Sequence, residues 1–377
     1  MKRQRFDYAV IGGGIFGCYA ALFLAGKGAR VALFEKERRL FQKASLVNQA
    51  RLHGGYHYPR SMATALLSDE HKSRFTAEHR NFVNGAFEKY YAIDRYGSFT
   101  DGMQFERFCG YLDIPYSRVE VHPLFNFERI EALYLTEEHS FDPVLLQRYY
   151  QDKVAVCPSV SLFLDTRPIS AEIHSDVWLI RYQQGDKQEE LYAGAAINAS
   201  YAAINGINRL FGMERLEVMH EISEIAFVSS PQMRGKGLTV MDGPFGSIMP
   251  YGLSGLLSLS SVAYTHHKVS YEDMPRFDCM QPDRDPACCP QAPGICNQCV
   301  RKPESNAFKM LAQMRRYFSG QVQWQYLFSW FTIKTKLKAS HIDDSRPTEI
   351  TRLNERPAYY CLFSGKINSI YEIEKIV

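Results

Sequence analysis

The residues best placed for chemistry lie near the start of the chain, in the run Gly12-Gly13-Gly14-Ile15-Phe16-Gly17. Gly12, Gly14 and Gly17 follow the spacing G-x-G-x-x-G. The first glycine of such a turn permits a sharp change from strand to helix. The second lets the main chain approach a pyrophosphate with no Cβ in the way, and the third lets the helix pack closely on the strand. Free N–H groups and a partial positive charge at the helix start then favour phosphate. Glu35 closes the next strand-like run, where its carboxylate can accept hydrogen bonds from ribose hydroxyls. A glycine turn with no ligand can share the spacing. Here strand, helix, second strand and terminal acid all fall in the order a dinucleotide site needs. The motif alone does not separate a flavin from a nicotinamide, and the chain has no second copy of it.

A second set of reactive residue types follows, in the run from Ser45 to Ser61. It holds Asn48, Gln49, Arg51, His53, Tyr56, His57, Tyr58 and Arg60. A neutral imidazole can accept a proton at neutral pH, and a guanidinium can hold a carboxylate. His53 is therefore a candidate base, and Arg51 and Arg60 are candidate anchors. A structural histidine bonded to a backbone carbonyl is an equal reading of His53, and the tyrosines read equally well as core aromatics. A third set is Cys279, Cys288, Cys289, Cys296 and Cys299 in a proline-rich stretch. Cys296 and Cys299 form a C-x-x-C pair, the spacing with which two thiolates grip zinc. Cys279 with Cys288 or Cys289 is the candidate second pair, and free loop thiols are the competing reading.

The elements that must position these groups can be read around them. Phe6–Ile11 reads as a buried strand, Ile15–Lys27 as a helix closed by Gly26 and Gly28, and Arg30–Phe34 as a second buried strand, which is a βαβ unit. Residues 63–92 read as helical, residues 100–140 as mixed, and Phe141–Asp152 as a helix with Asp142 and Pro143 at its start. Strand-like runs follow at 159–164, 177–183 and 193–198, and several more between 216 and 268. Residues 272–305 read as an inserted loop, and 306–318 as a helix. From Tyr359 the tail reads strand, glycine, helix. The expected architecture is α/β. A Rossmann-like cofactor domain (1–84, 141–212 and 340–377) is interrupted by a mainly antiparallel α+β substrate domain (85–140 and 213–339) that carries the cysteine-rich loop 272–305.

Composition narrows the class. The chain has 377 residues, 46% hydrophobic and 23% charged, which suits a globular protein of about two domains. A net charge of +3 gives no basis for nucleic-acid binding. Lys2, Arg3 and Arg5 before the apolar run Tyr8–Ala25 imitate a signal peptide. Asp7 and the glycine cluster argue against one, and no other run is long enough to span a bilayer. Nine cysteines, five of them in one stretch, favour a reducing, cytoplasmic setting over a disulfide framework.

The segment after Glu35 resembles the D-amino-acid-oxidase-like family of FAD-dependent oxidoreductases. Within it, Asn48, His53, Gly55 and Tyr58 match the pattern of L-2-hydroxyglutarate oxidases and dehydrogenases. Tyr56 and His57 do not reproduce that pattern, and Arg51 stands where that branch has a small or apolar residue. The resemblance implies FAD as cofactor. Gly12, Gly14, Ile15, Phe16, Gly17, Glu35 and Lys36 would hold its adenosine half. Ser45, Asn48, Gln49 and Ala50 would cover the pyrophosphate and ring edge. Ser200, after the run Ala195–Ala199, would return to the adenine side, and Gly365, Lys366 and Ile367 would face the flavin's N1/C2=O edge. His53, Arg51, Tyr58 and Arg60 would stand at the substrate. The activity implied is oxidation of a CH–OH or CH–NH group in a small, carboxylated molecule, with oxygen or another acceptor taking the electrons. The rival is a flavin-binding sensor or partner protein without catalysis.

Overall fold

The computed structural model describes residues 4–57, 71–280, 288–339 and 348–376, and among these two large sheets carry the fold. The first starts with β1 (Gln4–Ile11), α1 (Ile15–Gly26) and β2 (Val31–Phe34). β1 lies parallel to β2 on one side and to Lys187–Asn198 on the other. β2 continues to Val160–Phe163, and the end of Lys187–Asn198 pairs in parallel with Ala358–Phe363. Every residue of β2 is buried, as expected of a short apolar strand in a sheet covered on both faces. α1 carries almost no charge because the helix Pro143–Val156 and the 3-10 turns of Ile367–Ile376 pack over it. The carboxyl ends of β1, β2 and Lys187–Asn198 meet at one edge, the place where open α/β sheets bind ligands.

The second sheet has nine strands and is mainly antiparallel, with one parallel pair, Lys236–Met241 against Glu88–Asp94. Its centre is Val218–Ser229, almost wholly buried, which pairs along its length with Gln325–Leu337. The helix Ala307–Arg315 presses Met310, Leu311 and Met314 onto this sheet. A small third sheet ties the two together. Arg51–Leu52 pairs with His139–Phe141, which also pairs with Val83–Asn84. This pairing brings Arg51 and His53 beside Glu138, residues far apart in sequence.

The α/β class expected from the sequence forms, and several element boundaries differ. The helical reading of 63–92 holds for Lys72–Glu78, whereas Glu88–Asp94 is a buried strand. Tyr91 and Ile93 pack with Phe105 and Tyr134, while Tyr90 joins the cluster on the opposite face, and tertiary burial overrides the local pattern. Residues 58–70 lie outside the described residues. The helix Gly102–Leu112 arises in the stretch read as mixed. Asp101 and Gln104 form a reciprocal capping box there, an aspartate variant of a helix-start signal that the sequence displays. Asp142 caps Pro143–Val156 by accepting from the N–H groups of Val144 and Leu145. The tail after Gly365 winds as 3-10 turns rather than as an α-helix. No helix among the described residues is long and apolar enough to cross a membrane.

Candidate active site

The glycine turn is fixed by steric contact at each motif position. Gly12 has φ of 114°, and a Cβ there would stand 2.5 Å from the Ala199 carbonyl oxygen. A Cβ on Gly17 would lie 1.8 Å from the Gly12 carbonyl oxygen, so only glycine lets α1 sit this close to β1. A Cβ on Gly14 would meet the Ser45 hydroxyl at 2.9 Å. Ser45 Oγ accepts from the Ile15 N–H at 3.0 Å, occupying one of the donors at the helix start. Glu35 ends β2 as the sequence suggests. Its carboxylate accepts from the N–H groups of Gly13 and Glu37, each at 2.8 Å. Burial pushes its carboxyl up, against the pull of Lys43 and these two donors.

Two cavities meet at this turn. One is walled by the Ser45–Ala50 run and lined also by Gly12, Gly14, Ile15 and Phe16, and by Ser200 and Gly365–Ile367. The other is lined by Glu35, Lys36 and Thr166, and again by Gly12 and Ser200. Gly17 borders neither and acts in packing. Several of these side chains brace the walls. Asn48 donates to the carbonyls of Ala44 and Ser45 and accepts from the Ala50 N–H, which holds Ala50 at φ of 54°. Gln49 donates to Ser260 Oγ of the second sheet at 2.9 Å. Ser200 donates to Asn198 Oδ1 at 2.6 Å. Lys36 pairs with Glu37 at 3.2 Å, and burial lowers its ammonium pKa. A Cβ-free turn, a helix N-terminus and a carboxylate at the strand end fit the adenosine diphosphate half of a flavin nucleotide. The second cavity arm, walled by Ala50, His53 and Lys366, leaves room for the ring half.

Arg51 and His53, which line the Ser45–Ala50 cavity, belong to a buried charge cluster. Glu138 is fully buried and accepts from the Tyr91 hydroxyl at 2.8 Å. The Arg51 Nε lies 3.5 Å from the same carboxylate oxygen. Arg51 also donates to Thr239 Oγ1 at 2.8 Å and to Ser247 Oγ at 2.5 Å, and approaches the His57 ring at 3.4 Å. Lys89, wholly buried, donates to Thr239 Oγ1, and its ammonium pKa is driven well below the usual range by burial and by Arg51. The other Glu138 oxygen faces His53 Nδ1 at 3.7 Å. His53 borders the cavity and is partly exposed to it. Glu138 and Lys89 were not legible as site residues, because the stretches that hold them, read as mixed and as helical, give no sign that tertiary pairing brings them to Arg51.

Some expectations need correction. Arg51 does not offer a free guanidinium to a substrate carboxylate. Its side chain is 2% exposed and committed to Glu138, Thr239 and Ser247. Tyr58 and Arg60 lie outside the described residues. Tyr251 is a core residue whose hydroxyl donates to the Leu46 carbonyl. The zinc expectation for Cys279, Cys288, Cys296 and Cys299 finds no support. Among the described residues no group of three or more His, Cys, Asp or Glu side chains is placed to hold a metal. Cys279, Cys288 and Cys296 instead rest against Ile222, Phe277, Met280, Phe331 and Ile333. Burial raises the Cys279 thiol and pushes the Cys296 thiol up to about 12, which favours the protonated form over a thiolate ligand.

Fold and site together define a flavoprotein oxidoreductase, with the glycine turn on a largely parallel sheet and a mainly antiparallel sheet beside it. The model of the DAO family, described as FAD dependent oxidoreductase, matches residues 7–232, and the chain belongs to this family. The FAD-dependent monooxygenase FPY4 of Fusarium mangiferae is 23% identical over 366 residues, covering 96% of this chain and 87% of that protein. The FAD-dependent monooxygenase kojA of Aspergillus flavus is 51% identical over 55 residues, covering 15% of this chain and 13% of that protein. Among solved structures, glycine oxidase from Geobacillus kaustophilus superposes with a TM-score of 0.70 at 16% identity, covering 98% of this chain and 92% of that one. L-α-glycerophosphate oxidase from Mycoplasma pneumoniae with FAD bound gives 0.70 at 14% identity, covering 99% and 93%. These likenesses do not confirm the L-2-hydroxyglutarate branch suggested by the Asn48–Tyr58 pattern.

Proposed function

We propose that this FAD-dependent oxidoreductase oxidises a C–H bond next to an OH or NH group in a small, carboxylated molecule, with His53 as the proton acceptor. The observation that carries the reading is the pairing of His53 with buried Glu138 at the cavity wall. A carboxylate behind one ring nitrogen stabilises the imidazolium that forms when the other nitrogen takes a proton. Arg51 and Tyr91 hold Glu138 in place, so the ring has a fixed partner. Arg51 thereby becomes a positioning residue. The bound flavin supplies the acceptor for the hydride. Lys366, nearly buried, borders the cavity where the resemblance places the flavin's N1/C2=O edge, and its positive charge favours a reduced ring there. Lys334, on the strand Gln325–Leu337, brings a further cation to the same cavity and takes over from Arg51 as the candidate carboxylate anchor.

The glycine oxidase, the amino acid deaminase and the glycerophosphate oxidase among the structural neighbours share the fold and favour oxidation of C–N or C–O centres as the reaction type. The electrons would leave to oxygen or another acceptor. The test is anaerobic mixing of the flavin-loaded protein with panels of 2-hydroxy acids, amino acids and amines. Loss of the oxidised flavin spectrum with one of these classes supports the proposal. A loaded protein that no member of either panel reduces contradicts it.

A further inference from the structure

The cysteine-rich insertion lies against the cofactor site. Pro293 and Gly294 border the Ser45–Ala50 cavity together with Gly12, Gly14 and Ser45. Gln291, Ala292 and Pro293 border the other cavity with Glu35 and Lys36. One tetrapeptide, Gln291–Gly294, thus touches both the pyrophosphate side and the adenosine side of the glycine turn. Its main chain is pressed onto the helix Ile204–Leu210, where a Cβ on Gly206 would stand 2.9 Å from the Gln291 carbonyl oxygen. It carries no charge, Pro293 is buried and has no N–H to satisfy, and Gly294 has no Cβ, so the segment is suited to close approach.

Both flanks of the tetrapeptide are pinned. Cys289 and Ala292 exchange backbone hydrogen bonds in a tight turn. The Gly294 N–H donates to Cys288 Sγ at 3.2 Å. On the C-terminal side, Asn297 Oδ1 accepts from the Phe331 N–H, and Arg301 donates to the Cys279 carbonyl at 3.2 Å. Cys279, Cys288 and Cys296 pack on an apolar patch that includes Phe331 and Ile333. Between those two residues, Thr332 borders the Ser45–Ala50 cavity. The loop is therefore anchored on the second sheet and reaches across to the nucleotide side of the first.

We propose that Gln291–Gly294 is a strap that closes over the adenosine diphosphate half of FAD, held down by the half-buried thiols Cys288 and Cys296 acting as packing groups rather than as metal ligands. The proposal rests on the assignment of FAD to these cavities. With the strap in place, the diphosphate is enclosed between the α1 N-terminus and Pro293, and FAD leaves only when the strap lifts.

The test uses the flavin-loaded protein and follows FAD release by the rise of free-flavin fluorescence after dilution. Pro293→Glu sets a carboxylate against the diphosphate and should speed release at least about tenfold at low salt, with the effect shrinking as salt rises. Pro293→Lys, a change of similar size and opposite sign, should release FAD no faster than the parent protein. Release at the parent rate in both variants, or equal acceleration of both with no salt dependence, overturns the strap. Trypsin gives a second readout that does not depend on these variants. Cleavage after Arg301, whose following residue Lys302 is exposed, should be slower in the flavin-loaded protein than after FAD is stripped, and Cys296→Ala should remove much of that protection. Equal cleavage with and without FAD counts against the proposal. A protein that binds FAD normally while failing these tests loses only the strap, whereas one that binds no FAD loses the cofactor assignment as well.

Discussion

Three glycines of α1, the N-cap Gly14 and the helical Gly17 and Gly26, should give three different outcomes when each is changed to alanine. At Gly17 the added Cβ would lie 1.8 Å from the Gly12 carbonyl oxygen, against an ordinary contact limit of 3.4 Å. About 1.6 Å of relief is needed, and both partners are main chain. Neither can rotate away, so α1 must lift from β1. Overpacking of this kind costs about 1–3 kcal/mol where neighbours can adjust, and a backbone contact belongs at or above the top of that range. At Gly14 the nearest atom is the Ser45 hydroxyl at 2.9 Å, which can swing aside. The loss is then its hydrogen bond to the Ile15 N–H, about 1 kcal/mol. At Gly26 nothing lies within 4 Å, and alanine in this last helical turn should stabilise by about 0.5–1 kcal/mol. Urea unfolding of the FAD-stripped proteins reads the stabilities, and flavin per chain after reconstitution reads the site. Flavin binding should be lost at Gly17→Ala, weakened at Gly14→Ala and unchanged at Gly26→Ala. A Gly17→Ala protein within about 0.5 kcal/mol of the parent and fully loaded with FAD would refute the packing argument.

Other outcomes follow from the charge cluster and the buried histidines. Glu138→Ala leaves Arg51 buried without its carboxylate and should cost about 3–5 kcal/mol in unfolding experiments, whereas Glu138→Gln, which keeps an acceptor for Tyr91, should cost less. His53→Gln keeps a polar group of similar size but no base, so flavin reduction should slow by about 10²- to 10⁴-fold with FAD content unchanged. Reduction at the parent rate would place the base elsewhere. His220 is buried against Thr335 and Asp273, and burial lowers its pKa to about 4. Its folded value lies below the unfolded value near 6.5, so the unfolded chain binds the proton first as pH falls. Stability should therefore drop by about 2 kcal/mol between pH 6.5 and pH 5 from this residue alone, and His220→Gln should flatten that slope. Identical slopes in the two proteins would show that His220 is not buried neutral.

The nucleotide end of the site is the part the sequence displays most openly. Gly12, Gly14, Gly17 and Glu35 follow one another within a single βαβ unit, so local spacing carries the information. Asp142 and Pro143 marked the start of their helix for the same reason. The catalytic end is assembled from a distance. Arg51 meets Glu138 only because Arg51–Leu52 pairs with His139–Phe141, and Lys89 meets Thr239 through a parallel pairing between strands far apart in the chain. No periodicity announces such pairings, which is why Arg51 read as a free anchor and Glu138 went unnoticed. The cysteines misled in another way. C-x-x-C spacing suggests thiolates gripping a metal, while burial on an apolar patch favours neutral thiols, and burial is decided by tertiary packing.

The most direct test of the account is an anaerobic titration of the purified, flavin-loaded protein with 2-hydroxy acids, amino acids and amines, followed by denaturation to release and identify the flavin. The account predicts close to one non-covalent FAD per chain, reduced by at least one of these classes in the parent protein and far more slowly in His53→Gln. A protein that binds no FAD, or whose FAD none of these compounds reduces, would contradict it.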